Sequence, residues 1–208
     1  MSFLVRAFLT LFVVIDPIGL VPIFITLTSK YFAAQQAQIA RQAVLVAAGI
    51  LLVFALAGNW LLRYLGISIE AFQIAAGILL LKIALDMVFA RAERETAKEQ
   101  EEAQLRNDIS VFPLAIPLIA GPGTLASILI LTTEADGHPS GYVIILAVSA
   151  IVLSIAYTLF CLSKPLAYVL GQTGINVVTR VLGVLLAALA VQYIANGAIV
   201  VLQSALNS

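Results

Sequence analysis

Histidine, cysteine and tryptophan each occur once in the 208 residues, and charged side chains make up only 11% of the chain. Cys161 alone cannot form an internal disulfide, and Cys161 with His138 falls short of the three or four ligands a zinc site needs. Eleven Lys and Arg against eleven Asp and Glu leave no basic excess to neutralise phosphates, so nucleic acid is not an expected partner. No G-x-x-x-x-G-K-[ST] run is present to cradle a nucleotide, so the chain is not expected to hydrolyse ATP. No metal or cofactor is expected. Soluble domains carry about 25% charged residues. Here ten of the charges crowd into residues 91–108, and the remaining length could not clothe a water-facing surface.

What is abundant is apolar: 62% of the residues, at a mean hydropathy of +1.09. Crossing roughly 30 Å of hydrocarbon takes about 20 apolar residues as a helix. Six stretches are long enough, at about 4–27, 42–62, 68–90, 110–132, 141–163 and 181–202. Polar connections at 29–41, 63–67, 91–108, 133–140 and 164–180 separate them. The fold expected is an all-α membrane protein of six transmembrane helices. The first span exceeds the h-region of a signal peptide and lacks a small-x-small cleavage pattern, so it is kept as a span. Cys161, in an apolar run, reads as a small packing residue, and His138 as a solvated loop side chain.

Lys and Arg near span ends set orientation. Lys30, Arg41, Arg91, Arg94, Lys98, Arg106, Lys164 and Arg180 lie in the first, third and fifth connections, against Arg6 and Arg63 on the other side. The odd connections are therefore expected in the cytoplasm, with both termini outside.

An internal repeat is visible. Ile15-Asp16-Pro17-Ile18-Gly19 aligns with Ala120-Gly121-Pro122-Gly123-Thr124 at an offset of 105, and Leu27-Thr28 then falls on Thr132-Thr133. Gly77-Ile78-Leu79-Leu80 aligns with Gly183-Val184-Leu185-Leu186 at an offset of 106. The units are 1–90 and 109–208, joined by the charged linker 91–108. Each holds three spans, an odd number, so the second must enter the membrane from the opposite side. That makes two inverted three-helix repeats, a construction common among secondary transporters, whose substrate sites lie near the midplane on interrupted helices.

The first span of each repeat is interrupted at its middle. Proline lacks an N–H and breaks a helix or begins a new one. Asp before it is a good N-cap, and glycine permits left-handed backbone at a joint. The expected site is Asp16, Pro17, Ile18 and Gly19 with Gly121, Pro122, Gly123 and Thr124. The second halves would present two helix N-termini at the midplane, which favour carboxylates. The carbonyl ends of the first halves would favour a cation, so a small zwitterion fits. Asp16, an intramembrane carboxylate, is the candidate ion-coupling residue for H+ or Na+.

Other polar side chains read more plainly. Lys82 and Asp86, spaced i, i+4, suit an internal ion pair. Gln192 and Asn196 could bond between helices. Trp60 and Tyr64 fit an interfacial belt. An intramembrane aspartyl protease would need Asp16 and Asp86 to face each other, but Asp86 falls near the end of its span.

The run Leu11-Phe12-Val13-Val14-Ile15-Asp16-Pro17-Ile18-Gly19, followed by Pro22-Ile23-Phe24, resembles the opening motif of the MarC family of membrane proteins. Pro113-Leu114-Ala115-Ile116-Pro117-Leu118-Ile119-Ala120-Gly121-Pro122-Gly123 resembles that family's second motif, and the stretch from Gly183 to Gln192 is similar to its last helix. The resemblance implies a transporter of small neutral amino acids, typically glycine and alanine, in the bacterial inner membrane. The expected function is ion-coupled secondary transport of such substrates rather than enzymatic catalysis. Export of other small amphipathic solutes or a lipid-linked substrate, and a non-transporting structural role, are the alternatives. The partners are then the bilayer, a small zwitterion and a coupling ion, and a homo-oligomer is compatible with the sequence.

Overall fold

The computed structural model describes residues 2–89, 108–135 and 139–206. His138 and all of the charged linker except Asp108 lie outside these. Eight helical segments follow in chain order: α1 (Phe3–Ile15), α2 (Leu20–Thr28), α3 (Ala33–Tyr64), α4 (Ile69–Val88), α5 (Ser110–Ile119), α6 (Pro122–Glu134), α7 (Pro139–Cys161) and α8 (Ser163–Leu206). α3, α4, α7 and α8 are each long and apolar enough to cross a membrane. α1 with α2, bent by 43°, and α5 with α6, bent by 53°, each meet the same test as a pair. The described residues thus hold four candidate spans, or six if each bent pair is one span.

Two segments depart from the sequence reading. The stretch 164–180, expected as a polar connection, is helical and continuous with the last span apart from a kink at Gly171. Its polar residues do not oppose helix, and only Gly171, at φ +61, leaves the helical region, a backbone that glycine adopts at no steric cost. The first half of the second broken span is not a regular α-helix. In α5, carbonyls accept from five residues on, as where Ala120 N–H donates to Ala115 O at 2.8 Å. Phe112 and Ile116 are extended, each immediately before a proline that excludes the helical region for its predecessor.

Side chains explain how the helices meet. α3 buries Ala40, Ala43, Ala47 and Ala55 at helical spacing, a stripe of small residues that allows close approach to α5 and α7. Phe24 of α2 stacks on Phe160 of α7 with centroids 4.6 Å apart. Large apolar side chains such as Leu45, Val53, Leu56, Val143 and Ile151 point outward. An outer surface of this kind suits lipid and would be costly in water. Trp60 and Tyr64 are exposed and stacked at the end of α3. Cys161 is exposed at the end of α7, so it is not the packing residue its apolar neighbours implied.

α4 and α8 form the most extensive interface, and glycines set its closeness. A Cβ on Gly77 would meet Ala190 O at 2.7 Å and the Ile194 side chain at 2.6 Å. A Cβ on Gly183 would meet Ala84 O at 3.2 Å and Val88 Cγ2 at 3.1 Å. At the offset of 106, Gly77 corresponds to Gly183, Ala84 to Ala190 and Val88 to Ile194.

Candidate functional site

The first break is built by Asp16. Its backbone is left-handed, at φ +44, and its N–H closes α1 by donating to Phe12 O at 3.0 Å. Asp is among the few side chains that tolerate this region. The carboxylate then turns to the next helix: Oδ1 accepts the Gly19 N–H at 3.1 Å, and Asp16 O accepts the Leu20 N–H at 3.1 Å. One residue therefore ends α1 and caps α2. Asp16 and Pro17 are buried, Ile18 and Gly19 half-buried. The left-handed residue of this joint is thus the aspartate and not the glycine. Gly19 serves closeness instead, because a Cβ there would collide with the Asp16 carboxylate.

The second break is made differently. Gly121 is extended, Pro122 occupies the first helical position of α6, and no side chain caps that helix. Thr124 Oγ1 donates back across the joint to Ile119 O at 2.8 Å, satisfying a carbonyl of α5. Gly121, Gly123 and Thr124 are buried, and Pro122 is exposed. The first N–H groups of a helix have no intrahelical partner. Just ahead of α2 the Gly19 N–H is taken by Asp16, whereas at α6 those of Gly123 and Thr124 receive no side-chain bond among the described residues.

The breaks approach each other. A Cβ on Gly123 would stand 3.3 Å from Val14 Cγ1, 2.9 Å from Ile83 Cδ1 and 3.0 Å from Leu80 Cδ2. The last turn of α1 thus lies on the first turn of α6, with α4 closing the third side. The two helices run antiparallel, and at their far ends Arg6 Nη2 stands 2.8 Å from Glu134 Oε2.

Two hydroxyls join the site that the sequence reading did not select. Thr179 of α8 sits with its buried Oγ1 against Gly19 and the Asp16 carboxyl. Ser127, one turn past Gly123 on α6, is fully buried, and its Oγ has no hydrogen-bond partner among the described residues. Thr179 lies in the stretch expected to be a connection, and Ser127 in an apolar run whose depth only the fold reveals. The only sequence signal for Ser127 was its i+4 spacing from Gly123. The remaining polar side chains stand apart. Lys82 Nζ is 3.3 Å from Asp86 Oδ2 along α4, and Gln192 Nε2 donates to Asn196 Oδ1 at 2.7 Å within α8 rather than across to another helix. Ahead of α5, Asp108 accepts the hydroxyl and, at 3.0 Å, the N–H of Ser110. The Ser110 hydroxyl holds that carboxyl below its ordinary value.

A model described as MarC family integral membrane protein matches residues 1–202. A UPF0056 membrane protein of Methanocaldococcus jannaschii is 39% identical, over 95% of this chain and 96% of its own. The membrane protein YvbG of Bacillus subtilis is 37% identical over 94% of each chain. YhcE of Escherichia coli is 36% identical over 92% of this chain and 90% of its own. No solved structure matches significantly.

Proposed function

We propose, for a chain that belongs to the MarC family of integral membrane proteins, a role as a secondary transporter of small neutral amino acids across the inner membrane, coupled to H+ or Na+. The observation that carries this reading is the meeting of two helix breaks, through Val14 and Gly123, inside an apolar bundle. Irregular backbone at membrane depth is tolerated only where protein or a water-lined path satisfies it. Broken helices that pair a positive N-terminus with nearby carbonyl ends suit a zwitterion. Val14, Leu80 and Ile83 crowd Gly123, all within 3.3 Å of where a Cβ would stand, so only a substrate with a very small side chain, such as glycine or alanine, suits this joint. A buried carboxylate at membrane depth is costly and marks a functional position by default, and Asp16 holds one at such a joint.

We further read the chain as two inverted repeats. Support comes from the α4–α8 interface, where Gly77 faces Ala190 and Ile194 while Gly183 faces Ala84 and Val88. Such reciprocity is what a two-fold relation between equivalent helices produces. Six spans with both termini outside follow from the Lys and Arg distribution. Reporter fusions at residue 100 and at the C-terminus should then lie on opposite sides, and a cytoplasmic C-terminus would refute the inverted arrangement. The function is tested with labelled glycine in proteoliposomes, with and without a proton or sodium gradient. Flux that follows one gradient supports the reading, and absence of glycine or alanine flux under every gradient overturns it.

A further inference from the structure

Several hydroxyl-bearing side chains of the helices share one habit, which Ser127 does not follow. Thr28 donates to Phe24 O at 2.7 Å, Thr133 to Leu129 O at 3.0 Å, Ser149 to Ile145 O at 2.8 Å and Thr158 to Ser154 O at 2.8 Å. Each satisfies itself on the carbonyl one turn back, the bond an apolar medium favours. For Ser127 the equivalent acceptor would be Gly123 O, one turn back on the same helix. Its hydroxyl makes no such bond although the side chain is fully buried. A buried, unpaired hydroxyl costs about 1–3 kcal/mol. Such a group is retained without penalty when a ligand completes it.

Position indicates which ligand. Side chains on a helix lean toward its N-terminus and lie over the residue four earlier. Ser127 therefore shares the face of Gly123, toward α1 and α4, directly above the α6 N-terminus that lacks a side-chain cap. The donors near this end are the hydroxyl and the two early N–H groups, at the positive end of a 13-residue helix. That combination recognises a carboxylate. The opposite break differs, because its own Gly19 N–H is already occupied by Asp16. The two ends of a zwitterion are thereby distinguished.

We propose that Ser127 is a substrate-positioning residue: its hydroxyl, with the N–H groups of Gly123 and Thr124, holds the carboxylate of the small amino acid and turns the ammonium toward the Asp16 break. This rests on the transport reading above and assigns an orientation to its substrate. Removing a hydrogen bond to a charged group lowers affinity about tenfold or more.

The test uses full-length protein, purified for thermal shift and reconstituted for flux, with glycine and glycinamide as probes. Wild type should be stabilised by glycine and not by glycinamide, which has the ammonium but no carboxylate. Ser127→Ala should keep or raise the ligand-free melting temperature, because it deletes an unsatisfied group, while the KM for glycine rises about tenfold. A hydroxyl with a merely structural role would instead lower the ligand-free melting temperature and leave KM alone. Should Ser127→Ala not fold, Ser127→Cys, nearly isosteric and a weaker donor, should raise KM in the same direction. Unchanged KM in the folded variant, or equal stabilisation by glycinamide, overturns the inference while leaving wild-type glycine transport intact. Absence of glycine binding and flux in wild type overturns the transport reading, and this inference with it.

Discussion

Val14 and Gly123 touch at the point where two interrupted helices meet, the valine two residues before one break and the glycine two residues after the other. A Cβ at Gly123 would lie 3.3 Å from Val14 Cγ1. The neighbours there are the tips of flexible side chains, which can yield by a few tenths of an ångström. Gly123→Val should therefore fold, at a cost of about 1–3 kcal/mol from overpacking. It should abolish glycine flux in proteoliposomes, because the added methyls occupy the approach to the α6 N-terminus. Flux within twofold of wild type would remove this contact from the transport path.

Asp16→Asn separates capping from charge. Asn tolerates the left-handed backbone and caps a helix as well as Asp does. The melting temperature should consequently fall by only a few degrees, corresponding to less than about 1 kcal/mol. Dependence of flux on the proton or sodium gradient should vanish, since only the carboxylate can change charge. Asp16→Ala, which loses the Gly19 bond and strains φ +44, should be less stable than Asp16→Asn. Gradient-dependent flux that survives in Asp16→Asn would reduce the residue to a cap.

The α4–α8 interface makes its own prediction. Gly77→Ala would drive a methyl against Ala190 O, and Gly183→Ala one against Met87 Cβ, at 2.7 and 2.9 Å. Both should separate the helices and destabilise by about 1–3 kcal/mol. Gly49→Ala, with nothing within 4 Å of the new methyl, should be neutral or stabilise by up to about 1 kcal/mol through helix propensity. Melting temperatures in one detergent decide it: equal tolerance at all three glycines would contradict the close packing.

Asp108 gives a pH dependence. Its folded carboxyl titrates below the ordinary value because the Ser110 hydroxyl and the backbone hold the ionised form. Its contribution is fully present above the ordinary carboxylate range and is lost as pH falls through the lowered folded value. Wild type should melt higher than Asp108→Ala at neutral pH, and the two curves should converge as the solution is acidified. A difference that widens on acidification would mean the opposite sign.

Much of this architecture was legible from the chain because its causes are local. Scarce charge and long apolar runs specify spans. Asp16-Pro17 and Gly121-Pro122-Gly123 specify breaks, since proline removes an N–H wherever it stands, and Phe112 and Ile116 are extended because a proline follows each. Lys82 and Asp86 pair because four residues make one helical turn. What the tertiary structure alone decided depends on which distant helices meet. Polar content marked 164–180 as a connection, yet packing carries α8 through it and sets Thr179 against Gly19. Composition could not say that Cys161 faces outward, that Gln192 bonds within its own helix, or that Ser127 is sealed beside a helix end with its hydroxyl unspent. A side chain's depth and neighbours are set by contacts between residues far apart in sequence, whereas a helix break is written in the covalent chemistry of two or three adjacent ones.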